Sequence, residues 1–219
     1  MTTVFQDDSR EAAMIELFDL YKDDSEGRSG IDAFLDIDGQ RLPFELKTTG
    51  GKKVTTVRDF GPDHIRKWAN KHWLIGAHSG EDVSYIYVSP ARMAEWIQLK
   101  ADYIAPDFDL ARLTREKLDL SDLHQVVGEK EIYTFDDAVK LHKRQYTKAE
   151  YLEQQDLDGG YSPERMLVIL KDRAKYIAER GSTLNNPQIP LNYFDGLERI
   201  TANHADRLKE LVRLSLSSD

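Results

Sequence analysis

Between Gly30 and Gly50 the chain reads GIDAFLDIDGQRLPFELKTTG, which sets Asp32, Asp36, Asp38, Glu45 and Lys47 among residues that otherwise favour a β-hairpin. If Asp38-Gly39 forms a two-residue turn, cross-strand partners have residue numbers that sum to 77, and Asp32 faces Glu45. Directly opposed like charges in a sheet are destabilising, so such a pair needs compensation. A divalent cation supplies it: Mg²⁺ is commonly held by one or two carboxylates together with water and substrate phosphate. Lys47, two residues beyond Glu45, points to the same face and adds an ammonium beside the pair. A raised carboxylate pKa, or a hairpin that splays at this point, accounts for the same residues without a metal.

The elements that would position these groups follow from periodicity. In the register above, Asp36 meets Arg41 and Phe34 meets Pro43, while Ala33, Leu35 and Ile37 share the opposite face with Leu42, Phe44 and Leu46. A slip of one residue would turn that apolar set outward. Upstream, Met14, Leu17, Phe18 and Tyr21 recur at helical spacing from Glu11 to Tyr21, with Ser9 as N-cap. Glu11 lies one turn before Met14 and so borders the face that packs on the sheet, although a Glu in a first helical turn is also favoured by the helix dipole alone.

Further along, Thr55 to Arg58 reads as a third strand and Gly61-Pro62-Asp63 opens a helix to about Asn70. Strands are expected at 73–77 and 83–88, and Ser89-Pro90 starts a helix to about Lys100. Beyond residue 101 the patterns are mostly helical. A helix runs from Thr134 or Asp136 through Gln145, and another from Glu164 to Arg180, with Gly181 as a left-handed cap. The stretch 182–190 has the composition of a loop, and a last helix covers roughly 197–214. The expected organisation is a mixed α/β core over residues 1–100 followed by a mainly helical part over 101–219 packed on it.

Composition narrows the function classes. The chain has 219 residues, no cysteine, and a formal charge of −9. Disulfides and thiolate metal sites are thereby excluded, and the six histidines show no zinc-type spacing. The N-terminus lacks a signal-peptide pattern and no apolar run approaches the roughly 20 residues that span a bilayer, so a soluble, cytoplasmic protein is expected. Nucleic-acid binding depends on where charge sits as well as on its sum. From Lys47 to His78 seven basic residues stand against Asp59 and Asp63, and KLHKRQYTK, 140–148, holds four basic residues and no acid.

The order of a helix bearing Glu11, a strand bearing Asp32, and an adjacent strand bearing Glu45-Leu46-Lys47 resembles the PD-(D/E)XK nuclease superfamily over residues 9–88. Ile31 stands where the name-giving proline would precede Asp32, a position that supplies no ligand. The resemblance implies a restriction-endonuclease-like mixed β-sheet core flanked by helices. It also implies Mg²⁺ bound by Asp32 and Glu45, with the Leu46 carbonyl as a further ligand. Lys47 would orient the attacking water or stabilise charge on phosphorus, and Glu11 would serve as an outer or second-metal ligand. The implied activity is Mg²⁺-dependent hydrolysis of double-stranded DNA, of the type II restriction class, by a homodimer.

DNA contacts are then expected from Lys52, Lys53, Thr55 and Arg58, in the hydroxyl- and lysine-rich run after the motif, and from Lys140, Lys143, Arg144 and Lys148. The amides of Asn185, Asn186 and Gln188 are of the type that reads adenine, although Asn-Asn-Pro is first a turn signal. The alternatives are a repair or junction-resolving nuclease of the same fold, a DNA-binding module without chemistry, and an unrelated α/β protein with a chance triplet.

Overall fold

The computed structural model describes residues 3–23, 30–80, 82–182 and 187–218, with side chains from residue 9 onward except at residue 182. The elements, in chain order, are α1 (Thr3–Leu17), β1 (Ala33–Ile37), β2 (Gln40–Thr49), β3 (Lys53–Thr55), α2 (Pro62–Trp68), β4 (His72–Ser79), β5 (Asp82–Val88) and α3 (Pro90–Lys117). They continue as α4 (Leu120–Val127), β6 (Tyr133–Thr134), α5 (Phe135–His142), α6 (Lys148–Glu153), β7 (Gly160–Tyr161), α7 (Pro163–Ser182), β8 (Gln188–Pro190), a 3₁₀ turn (Leu191–Phe194) and α8 (His204–Leu216). The protein is mixed α/β. None of the described helices is long and apolar enough to cross a membrane.

A four-stranded sheet runs in the order β1-β2-β4-β5, with β2 and β4 parallel and the other pairs antiparallel. The β1–β2 register is the expected one: Ala33 pairs with Phe44 and Ile37 with Gln40. Asp38 (φ 50°) and Gly39 (φ 79°) both occupy the left-handed region, as the tight hairpin turn requires. The hairpin's apolar face buries Ala33, Leu35, Ile37, Phe44 and Leu46 against Met14 of α1, Phe18 just after it, and Leu208 and Val212 of α8. On β4, Trp73 stacks edge-on against Trp68 of α2, which also meets Phe60 and Trp96 of α3. The parallel β2–β4 pair needs a crossover, and α2 lies on it.

Several boundaries differ from expectation for identifiable reasons. Helix α1 begins at Thr3 rather than at Ser9, and it ends at Leu17 because Asp19 turns left-handed (φ 55°), which frees Tyr21 to bridge Phe34. The third strand is 53–55, not 55–58, because its partner is β8, a strand formed within the expected loop 182–190. Helix α3 continues through Pro106 to Lys117, its last turns laced by Arg112 to Asp109 and Glu116. Gly181 is not a left-handed cap; α7 runs through it to Ser182. Helix α8 starts only at His204, after Asn203 takes a left-handed conformation (φ 49°).

The chain forms two compact units, residues 1–101 with 184–219, and residues 102–183. The C-terminal stretch belongs with the first unit. Backbone pairing accounts for this: β8 pairs with β3, and Ile200 exchanges both of its hydrogen bonds with Tyr85 of β5. The second unit has its own core of Leu123, Tyr133, Leu141, Tyr151, Tyr161, Met166 and Ile169. Three of its helices open on a repeated tyrosine-hydroxyl pair, Tyr133-Thr134, Tyr146-Thr147 and Tyr161-Ser162. Each hydroxyl accepts from the backbone N–H three residues on.

All three tryptophans lie in the first unit. Leu208→Ala should therefore cost about 2–5 kcal/mol and lower the urea midpoint followed by tryptophan fluorescence. An unchanged tryptophan transition would mean that α8 does not belong to the core of the sheet.

Candidate functional site

At the open end of the hairpin, β1 stops at Ala33 and Asp32 lies just outside the ladder. Its carboxylate replaces a strand partner: Oδ2 accepts the Leu46 N–H at 2.9 Å. Glu45 and Lys47 follow on β2, two residues apart and so on one face. The Lys47 ammonium stands among three oxygens, 2.8 Å from Glu45 Oε1, 3.0 Å from the Leu46 carbonyl and 3.4 Å from Asp32 Oδ2. Asp32 and Glu45 thus converge as the register requires, and the group between them is the chain's own lysine.

The other oxygen of Glu45 is taken by Lys71, which in the sequence is one of the seven basic residues between Lys47 and His78. Lys71 Nζ donates to Glu45 Oε2 at 2.6 Å, and the two residues are only 2% and 3% exposed. Lys71 precedes β4, whose parallel pairing with β2 sets Glu45 beside Trp73. Only that non-local register brings lysine and glutamate together, so no local signal marks Lys71. Of the three compensations open at the level of sequence, neither a splayed hairpin nor a raised Glu45 pKa is found. Two ammonium groups balance the two carboxylates.

The electrostatics follow from this arrangement. Burial alone would push the Glu45 carboxyl up, but Lys47 and Lys71 outweigh it and hold the carboxyl below the ordinary glutamate range. Burial likewise opposes charge on Lys47, and Glu45 and Asp32 reverse that, keeping its ammonium above the ordinary lysine range. Lys67 of α2 feels the same cluster from outside: burial, and then the Lys71 charge, lower its pKa.

A cavity of about 460 Å³ opens beside Lys47, lined by α1, by the end of β2 and by β3. Glu11 reaches it, but its carboxylate is engaged by Lys22 at 2.7 Å rather than by the Asp32–Glu45–Lys47 cluster. Lys53 and Thr55 line the same cavity, while Lys52 and Arg58 are exposed nearby in sequence. Lys140, Lys143, Arg144 and Lys148 are all exposed on the second unit, with Lys143 and Arg144 in left-handed backbone at the end of α5. Asn185 and Asn186 lie outside the described residues. Gln188 is exposed in β8, paired with Thr55.

Neither a scan against protein-family models nor a search of curated proteins returns a match to this chain. The chemistry must therefore be judged from the residues. No group of three or more His, Asp or Glu side chains able to hold a metal is assembled among the described residues. What is assembled is two carboxylates and one backbone carbonyl around a single cationic nitrogen. Such a set of hard oxygen donors fits Mg²⁺, which keeps several of its waters and needs few protein ligands.

Removing one partner of the buried pair leaves the other uncompensated. Lys71→Met should destabilise the fold by about 3–5 kcal/mol, and Glu45→Gln with Lys71→Met should recover most of that loss in urea titrations. Because the Glu45 pKa is depressed on folding, its contribution is complete above the ordinary value of 4.5 and disappears as pH falls through the lower folded value. Stability measured from pH 7 to 3 should fall along an acid limb that is shallower in the double variant; an identical limb would show that Glu45 is not the group responsible.

Proposed function

We propose that this protein is a Mg²⁺-dependent endonuclease that hydrolyses phosphodiester bonds of double-stranded DNA, of the type II restriction class within the PD-(D/E)XK superfamily. The observation that carries the reading is the convergence of Asp32, Glu45 and the Leu46 carbonyl on one cation position at the wall of an open polar cavity. The arrangement of helix, hairpin and parallel strand around that point agrees with the restriction-endonuclease-like core that the motif implies.

In this reading Asp32, Glu45 and the Leu46 carbonyl hold the metal. When bound, Mg²⁺ polarises a phosphoryl oxygen, lowers the pKa of a bound water and neutralises charge on the leaving oxygen. The protein's own groups supply the rest. Asp32, tied to the Leu46 N–H, keeps the end of the hairpin in register, so carboxylate and carbonyl stay aligned. Lys71 holds Glu45 through Oε2 and leaves Oε1 to Lys47, which lines the cavity. Lys47 stays charged at neutral pH and presents its ammonium to the phosphate or to the attacking water. Glu11, at the cavity wall, is an outer acidic group with Lys22 as its counterion.

Lys52, Lys53, Thr55 and Arg58 meet the DNA backbone beside the site, and Lys140, Lys143, Arg144 and Lys148 meet phosphates from the second unit. Cutting both strands of a duplex calls for two such sites, hence a homodimer. A second reading is favoured by the balance of charge: two lysines already neutralise Asp32 and Glu45, as in a DNA-binding module of the same fold without chemistry.

Digestion of a mapped supercoiled plasmid with and without Mg²⁺ separates the two. Discrete Mg²⁺-dependent fragments are expected, and Asp32→Ala and Lys47→Ala should each lower the rate by about 10²–10³-fold or more while duplex binding persists. Duplex binding with no cleavage at any Mg²⁺ concentration would leave the binding module as the answer.

A further inference from the structure

We infer that the cavity beside Lys47 contains a second phosphate subsite, built by the Arg10 guanidinium of α1 and the Lys53 ammonium of β3. The inference takes the source of the phosphate, a duplex backbone, from the nuclease reading; its chemistry stands on the cavity alone.

Among the described residues, three cations line this cavity, Arg10, Lys47 and Lys53, against one carboxylate, Glu11. Glu11 is already neutralised by Lys22, and Lys47 is turned to Glu45 and Asp32. Arg10 and Lys53 are left, and neither side chain makes an ion pair with another described residue. The chain carries nine more acidic than basic residues, and Arg41, Arg66, Arg92, Arg112, Arg115, Arg207 and Arg213 each have a carboxylate partner. Two cations without such partners, from elements far apart in sequence, open into one space.

The remaining lining suits the same ligand. Thr48 and Thr55 bring hydroxyls to the wall, and neither hydroxyl hydrogen-bonds another described residue. Pockets for organic ligands are mostly apolar, whereas Met14 and Leu46 are the large apolar side chains here. A guanidinium fork, an ammonium and two hydroxyl donors match the oxygens of a phosphate, the arginine in bidentate fashion and the lysine as a point charge. The Arg10 field also extends beyond the cavity: after burial, its charge is what holds the His78 imidazole below its ordinary pKa. Because Lys47 lines the same cavity, a phosphate held by Arg10 and Lys53 neighbours the one at the reacting centre.

The test uses the full chain carrying Asp32→Asn, without divalent metal, and follows fluorescence anisotropy of a labelled duplex of about 20 base pairs between about 50 and 200 mM salt. Adding Arg10→Gln and Lys53→Gln together should lower the slope of log affinity against log salt by about 0.9, the share of one phosphate contact, and each single change by no more than that. Circular dichroism of each variant confirms that the fold is kept. An unchanged slope in the double variant overturns the inference and removes Lys53 from the backbone contacts, while the metal site and the cleavage it is proposed to carry out stand apart from it. A reduced slope, with no Mg²⁺-dependent cleavage by the unsubstituted chain, supports the subsite and rejects the nuclease. If inorganic phosphate binds in an Arg10-dependent manner while the duplex does not bind, the phosphate chemistry stands and the duplex as its source is rejected.

Discussion

The Glu45 carboxylate, buried between two ammonium groups, is the constraint on which the rest of the first unit depends. A carboxylate removed from water in this way costs several kcal/mol unless both of its oxygens are satisfied. One oxygen is met by Lys71 and the other by Lys47, so three charged side chains from two neighbouring strands must keep their positions together. Satisfying Glu45 therefore fixes β2 against β4, because Lys71 is delivered by the start of β4. It also fixes β1 against β2, since Lys47 reaches Asp32, whose carboxylate closes the end of that ladder.

An ordinary core position would be filled more economically by leucine, and a buried ion pair is weak evidence for stability alone. What the cluster does provide is a set of oxygens held at defined positions on a rigid sheet while one edge stays open to a polar cavity. A functional group is placed more accurately on strands than on loops, and here every oxygen near the Lys47 ammonium comes from the β1–β2 hairpin or its immediate flank. The cation that occupies their centre in this structure is part of the chain itself. Its raised pKa and its position at the cavity wall make it both the internal counterion of the site and a charged group that faces the cavity.

The second unit is built on a different principle. Its core is rich in tyrosine, with the Tyr133 hydroxyl donating to the Gly128 carbonyl and that of Tyr161 to the Tyr151 carbonyl, so large rings fill the interior without leaving polar atoms unmet. The repeated tyrosine-hydroxyl pairs start its helices and anchor them in that core at the same points. Short helices of six to eight residues, such as α5 and α6, gain little from helix propensity and depend on such caps. The exposed basic run Lys140–Lys148 is carried where α5 ends and α6 begins.

The hairpin could be read from the sequence because its information is local. Asp38-Gly39 specifies the turn, the turn specifies the register, and the alternation of apolar residues allows only one face inward; Asp32, Glu45 and Lys47 follow from that arithmetic. The repeated Tyr-Thr and Tyr-Ser pairs were equally local signals, visible once the helices they cap are known. Lys71, by contrast, was one more basic residue in a basic stretch until the parallel pairing of β2 with β4 set it under Glu45. The return of residues 187–218 to the first unit was also hidden, since β8 and Ile200 find their partners more than a hundred positions away and leave no periodic trace. Sequence determined which groups share a face of one hairpin; tertiary structure decided which charges neutralise them, because Coulomb pairing and burial act through space between strands that the chain order does not join.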